Sequence, residues 1–449
     1  MNQNRKKSKI SYFISLAMLL IILYFAYQYY QLNNFNDFVR SETNLYTSNF
    51  TRDDEIKYTN KKSYKIESPE YNDAMFYQTI KVKKNQPYRV TCMVKTKDVQ
   101  AKEEKSGEGA QISIEGTTER SVAIAGTQDW QKIEFIFNSK NREEINIGFR
   151  LGGNLGEVKG EAWFSDFTME EGMVSQDNNW KFACFIFKTT DVTINKKQVE
   201  LSVTQNDIVD ITNTLDLFEE SCNNLSNGKM TAKCDIYEID TPLSKLSYDN
   251  EYGYYVSPED IEEQIKDTIA SHDYDHIYAI VRLGDEEHEN DIEVNDWIGL
   301  GSMDYYGIGF SNIRLPNDSR SYIYKYNKRI NTFPEEVFLH EFLHSLERNA
   351  EEYGYERPEL HDYQKYGYQN EALVGQKKWY TDYMNQEIGV AGKKIGLPKE
   401  IYTLKPAKSS NFEYAYEIKE VFKEPENIME EVIELINKVK KGLGELVGN

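Results

Sequence analysis

The sequence predicts a multidomain chain: a transmembrane anchor, an all-β sandwich, then an α+β domain closed by a C-terminal helix. Three observations support this. A basic, then apolar, N-terminus opens the chain; short alternating runs fill residues 38–175; and longer mixed segments of helical and strand character fill residues 176–410. At 449 residues the chain exceeds what a single core usually supports, so two or more domains are expected.

Arg5, Lys6, Lys7 and Lys9 precede a nearly uncharged run from Ile10 to Tyr30, long enough to cross a bilayer. That run ends without a small-residue cleavage site, which favours an uncleaved anchor over residues 1–37. With the positive charges retained inside, the remainder lies outside the cell as a single-pass membrane protein; cleavage would instead give a secreted one. The net charge of −21 excludes nucleic acid as a partner of the whole chain.

Between residues 38 and 175, segments such as YRVTCMVKT and QKIEFIFNS alternate apolar and polar residues, the signature of a half-buried antiparallel sheet. Trp130 and Trp163 are read as core residues of this unit rather than as sugar platforms. Further on, Ser257 is an N-cap for PEDIEEQIKDTIA. Residues 411–449 are assigned to the closing amphipathic helix, with Met429, Val432, Ile436 and Val439 on one face. Four cysteines leave two alternatives for Cys222 and Cys234: a short-range disulfide, or buried free thiols.

The segment HEFLH, His340 to His344, carries the chemistry. Thr332 and Glu335 have capping-box spacing at the start of its helix. Four residues advance about 400° around a helix, so His340 and His344 share one face and can bind one Zn2+. Glu341 then faces the site as general base, taking a proton from water and delivering it to the leaving amine. For the third metal ligand His361 is the first choice, with Glu371 and Glu352 as alternatives.

The order of features in residues 38–175 resembles jelly-roll carbohydrate-binding modules, and HEFLH resembles the signature of zincin metallopeptidases. The second resemblance implies a zinc peptidase with Glu341 as base and an upstream edge strand that aligns substrate; YYGIGFSNIRL, from Tyr305, is the candidate. Glu347 and Ala350 depart from the HExxHxxGxxH pattern of the metzincin branch, although Met384 is a candidate for that branch's methionine turn. Tyr363, Tyr366, Tyr368 and Tyr380 are candidate oxyanion donors. The expected function is a zinc endopeptidase acting on a protein or peptide, with a glycan or partner protein bound by the sandwich. The alternatives are a glycan- or protein-binding surface protein with an inactive zincin-like domain, and a zinc amidase acting on cell-wall peptides.

Overall fold

The computed structural model describes residues 38–102, 108–153, 156–271, 273–295, 297–317, 323–324, 333–368, 373–419 and 421–422. The anchor of residues 1–37, the helix face from Met429 to Val439, Thr332 and Glu371 lie outside the described residues. Among the described residues no helix is long and apolar enough to cross a membrane.

The alternating runs pair into two antiparallel sheets. One holds β1 (Val39–Glu42), β4 (Ala74–Lys81), β8 (Glu144–Gly152) and β6 (Gly109–Ile114) in that spatial order. The other runs β2 (Asn49–Asp53), β3 (Ser63–Asn72), β9 (Val158–Glu171), β5 (Pro87–Ala101), β7 (Gly126–Asn138). On β5 the two-residue period sends Tyr88, Val90, Cys92 and Val94 inward. They meet Phe76 and Phe149 from the facing sheet, and one apolar core joins both sheets in a β-sandwich. Burying each such aromatic stabilises the unit by roughly 2–3 kcal/mol.

The two tryptophans differ. Trp163 is buried and its indole N–H donates to Asp53 Oδ2 at 2.9 Å. Trp130 departs from the core assignment: it is half-buried and pairs with Tyr58, itself half exposed, with ring centroids 5.7 Å apart.

The second unit is built on β10 (Asn179–Phe187), the hairpin β11 (Thr189–Ile194) and β12 (Lys197–Ser202), β13 (Thr231–Ile239), the short hairpin β14 (Ser247–Asp249) and β15 (Gly253–Tyr255), β16 (His276–Val281), β17 (Gly299–Tyr305) and β18 (Ile308–Arg314). Its five-stranded sheet has the order β13-β10-β16-β18-β17. All neighbours are parallel except β17, which runs antiparallel along the edge. Helices α1 (Gln205–Leu225) and α3 (Glu336–Glu352) cover one face and α2 (Pro258–Ser271) the other. The α+β expectation therefore gives way to a three-layer, mostly parallel arrangement. Its cause is legible in β10 and β16, whose apolar runs are buried on both faces instead of alternating.

Caps fix where these helices start. Thr204 and Asp207 form a reciprocal capping box on α1, and Ser257 with Asp260 does the same for α2. For α3 the predicted box is absent at its acidic end. Glu335 makes no side-chain cap bond, because Ser221 of α1 donates to its carboxylate. All four cysteines are buried free thiols, so Cys222 and Cys234 form no disulfide.

After α4 (Leu373–Met384) and the hairpin β19 (Ile388–Val390) and β20 (Lys393–Ile395), the chain returns to the sandwich. There β21 (Tyr416–Ile418) pairs antiparallel with Met169–Glu171 of β9, and Phe422 packs against Phe38, Phe149 and Phe167. Residues 416–418 thus form a strand within the stretch assigned to the closing helix, because β9 of the sandwich pairs with them.

Candidate metal centre

Helix α3 is amphipathic: Phe338, Leu339, Phe342, Leu343 and Leu346 enter the core behind the sheet. Its other face carries His340 and His344, whose Nε2 atoms lie 3.2 Å apart. The helix ends at Tyr353, Gly354 reverses the chain at φ 76°, and a 3₁₀ turn over Leu360–Tyr366 follows. That turn brings His361 Nε2 to 3.2 Å from His344 Nε2. Donor atoms of the three histidines all lie within 4.8 Å of one another. Two nitrogens bound to one tetrahedral divalent ion at about 2.0–2.1 Å stand about 3.3 Å apart. The spacing fits such an ion.

The opposite ring nitrogens are engaged. His344 Nδ1 lies 2.7 Å from Glu347 Oε2, and His340 Nδ1 lies 2.9 Å from the Tyr380 hydroxyl, which donates to Glu336 Oε1 at 2.5 Å. These partners fix the tautomer with Nδ1 protonated and turn each Nε2 lone pair inward. Glu347 reaches further: its Oε1 accepts the Leu360 N–H at 2.6 Å and the Tyr383 hydroxyl at 3.1 Å. One carboxylate therefore orients His344 and anchors the residue before His361.

Electrostatics follow from the packing. Burial pushes the pKa of His340 well below its ordinary value, and burial with the neighbouring His344 lowers that of His361. For His344 burial acts in the same direction, but Glu347 and Glu341 outweigh it and the pKa rises. Glu341 is buried, and its carboxyl is pushed up to about 8 by that burial.

No protein-family model matches this chain, and no curated protein matches it. Solved structures similar to part of it include carbohydrate-binding modules and the enzymatically active domain of bacteriophage CBA120 tailspike protein 4. One, TmCBM61 in complex with β-1,4-galactotriose, is 18% identical over 31% of this chain and 92% of its own, with a TM-score of 0.23. Another is the CBM22-1 xylan-binding domain of Paenibacillus barcinonensis Xyn10C, at 13% identity, 30% and 84% coverage and a TM-score of 0.21. A third, the family 11 module of Clostridium thermocellum with a mixed-linked tetrasaccharide, is 8% identical over 30% and 88%, with a TM-score of 0.20.

The other sequence-derived candidates fall into place around the cluster. Glu352 pairs with Lys140 of the sandwich at 2.5 Å, which draws it away from the histidines. All of the YYGIGFSNIRL segment from Ile308 to Arg314 lies in β18, an interior strand between β16 and β17, so that run cannot be the substrate edge. The edge strand on this side of the sheet is β17, hidden in the sequence because GLGSMDY lacks apolar alternation. Gly299 and Gly301 lie directly on Glu341: a Cβ at Gly299 would stand 2.5 Å from Glu341 Oε1, and one at Gly301 3.0 Å from Oε2. Only glycine permits this approach. Among the tyrosines, Tyr380 is engaged behind His340 and Tyr368 donates to Asp382 at 2.6 Å, while Tyr363 and Tyr366 pack on Trp379. Met384 is fully buried at the end of α4. Tyr380 reaches His340 and Glu336 from α4, a tertiary contact that the sequence does not reveal, whereas Glu347 and Glu336 sit at helical spacing from His344 and His340.

Proposed function

We propose that this chain is a zinc-dependent peptidase acting outside the cytoplasm, with His340, His344 and His361 as the metal ligands and Glu341 as the general base. The convergence of the three histidines, with His344 Nε2 at 3.2 Å from both other Nε2 atoms and all donor atoms within 4.8 Å, supports it most directly. A zinc ion held there would supply Lewis-acid activation of water and of a substrate carbonyl. The chain's own residues do the rest. Glu341 adjoins the first ligand, and its burial beneath Gly299 and Gly301 keeps bulk water from its carboxylate. As a carboxylate Glu341 would take the proton from the attacking water and pass it to the departing amine. Edge strand β17 offers backbone groups with which an extended peptide can pair. The apolar run Ile10–Tyr30 would tether this unit to the membrane, and protease shaving of intact cells should release it.

The test is zinc quantification on the full-length chain in detergent, combined with cleavage of a peptide library by the wild type and by Glu341→Gln. One zinc in each protein, with cleavage by the wild type alone, supports the peptidase. Zinc in both with cleavage in neither favours the binding-protein reading.

That second reading has its own observation. Half-exposed Tyr58 and half-buried Trp130 form an aromatic pair on the sandwich, a surface on which a sugar ring can stack. Galactotriose and xylan oligosaccharides, the ligand class named for the similar modules, are the natural probes. Calorimetric binding that disappears in Trp130→Ala would place a glycan there.

A further inference from the structure

Strand β17 is interrupted where it crosses the catalytic helix. Leu300 pairs with Asn312 and Met303 with Phe310, so Gly301 and Ser302 together oppose the single residue Ser311. This is a β-bulge, which bends an edge strand and re-aims its groups. Ser302 takes φ 65°, the left-handed region that a serine adopts at a cost. Such a conformation persists only where its surroundings hold it.

What holds it is Arg348. Four residues beyond His344, it lies on the same face of α3 one turn further on. Its guanidinium donates to the Ser302 carbonyl at 2.8 Å and the Met303 carbonyl at 3.4 Å, and faces Asp304 at 4.0 Å. The helix that carries the histidines thereby grips the strand just past the glycines that touch Glu341. On the bulge's other side, the Ser311 hydroxyl lies 3.4 Å from the Glu341 carbonyl and 3.0 Å from His276 Nε2. The residue opposite the bulge is thus tied to α3 and to β16.

We infer that Arg348 is a positioning residue, a clamp that holds the Gly301–Ser302 bulge down on the helix and so fixes edge strand β17 in register with Glu341 for an extended peptide. This rests on the peptidase reading and deepens it. A planar fork reaching two successive carbonyls does what a single ammonium cannot, so lysine should only partly substitute. Substrates that pair along β17 should depend on the clamp, and substrates too short to pair should not.

The experiment compares the zinc-loaded full-length wild type with Arg348→Gln and Arg348→Lys. The substrates are an octapeptide drawn from the library and a tripeptide spanning the same bond. With Arg348→Gln, kcat/KM on the octapeptide should fall by about 10- to 100-fold, since an ångström of misplacement has that effect, with less than about threefold loss on the tripeptide. Arg348→Lys should lie between. Equal losses on both substrates, or no loss on either, would overturn the role in peptide positioning. Hydrogen exchange at the amides of residues 299–304, read without any substrate, should accelerate at least about tenfold in Arg348→Gln if the clamp exists. Unchanged exchange would overturn the clamp. If the wild type cleaves nothing, the peptidase reading and the peptide-positioning role fall together, while exchange still decides whether Arg348 holds the strand.

Discussion

Glu347 lies 2.7 Å from His344 Nδ1 through one carboxylate oxygen, and its other oxygen accepts the backbone N–H of Leu360, the residue before His361. Two of the three histidines are thus oriented by one side chain that is itself buried beside Arg357. Replacing Glu347 by Gln leaves the shape but weakens the acceptor at His344, and outer partners of this kind typically change metal affinity by about 10- to 100-fold. A competition titration against a chromophoric chelator should show that loss for Glu347→Gln. Wild-type affinity in the variant would remove Glu347 from its supporting role.

His361→Ala tests the cluster from the other side. The Lys140 ion pair holds Glu352 away from the place of the missing imidazole. Zinc retention by His361→Ala at one equivalent would point to a ligand elsewhere, with Glu371 the first to examine. We expect substoichiometric metal after desalting, measured by atomic emission.

How much of this was legible in the sequence depended on whether the cause was local. The capped helix, the i, i+4 histidine pair and the alternating runs of the sandwich follow from periodicity, which neighbouring residues determine. Glu347 followed only in part: its contact with His344 is local to the helix, i to i+3, but its other partners arrive from residues 360 and 383, across a chain reversal. Strand β17 did not follow: its glycines exist to let backbone approach Glu341, so the requirement that makes it important also removes its apolar signature. Strand β21 is equally silent, since only pairing with β9 makes three residues a strand. The class of the second unit was misjudged for a related reason: a run buried on both faces lacks the period that distinguishes strand from helix.

The junction between the two units centres on Tyr353, the residue capping α3. Its hydroxyl lies 3.0 Å from Oδ1 of both Asn85 and Asn138 in the sandwich. Tyr353→Phe removes one shared donor while Lys140 N–H and Asn138 Nδ2 still serve the two amide oxygens, at a cost of about 0.5–1.5 kcal/mol. Chemical denaturation should show a lower midpoint, and if the sandwich and the metal unit unfold together, a single transition should move. Two transitions, only one of them shifted, would show that the units unfold independently.

Acid should destabilise the fold through His276. This ring is fully buried on β16, with Ser311 at Nε2 and Phe182, Tyr278 and Phe342 around it. Burial, reinforced by the Arg348 charge, lowers its pKa from 6.5 to about 3. Asp275, its chain neighbour, is paired with Lys405 and Lys408. The sign follows from proton binding. Below pH 6.5 the unfolded chain takes up a proton at this position while the folded one does not until near pH 3. Stability from the neutral ring is therefore fully present above pH 6.5 and is lost as pH falls toward 3, with a slope of up to about 1.4 kcal/mol per pH unit. The readout is the slope rather than the absolute stability, because His276→Asn will also change packing. Urea midpoints between pH 7 and pH 4 should decline more steeply for the wild type than for His276→Asn; parallel declines would mean that His276 does not stay neutral in the folded protein.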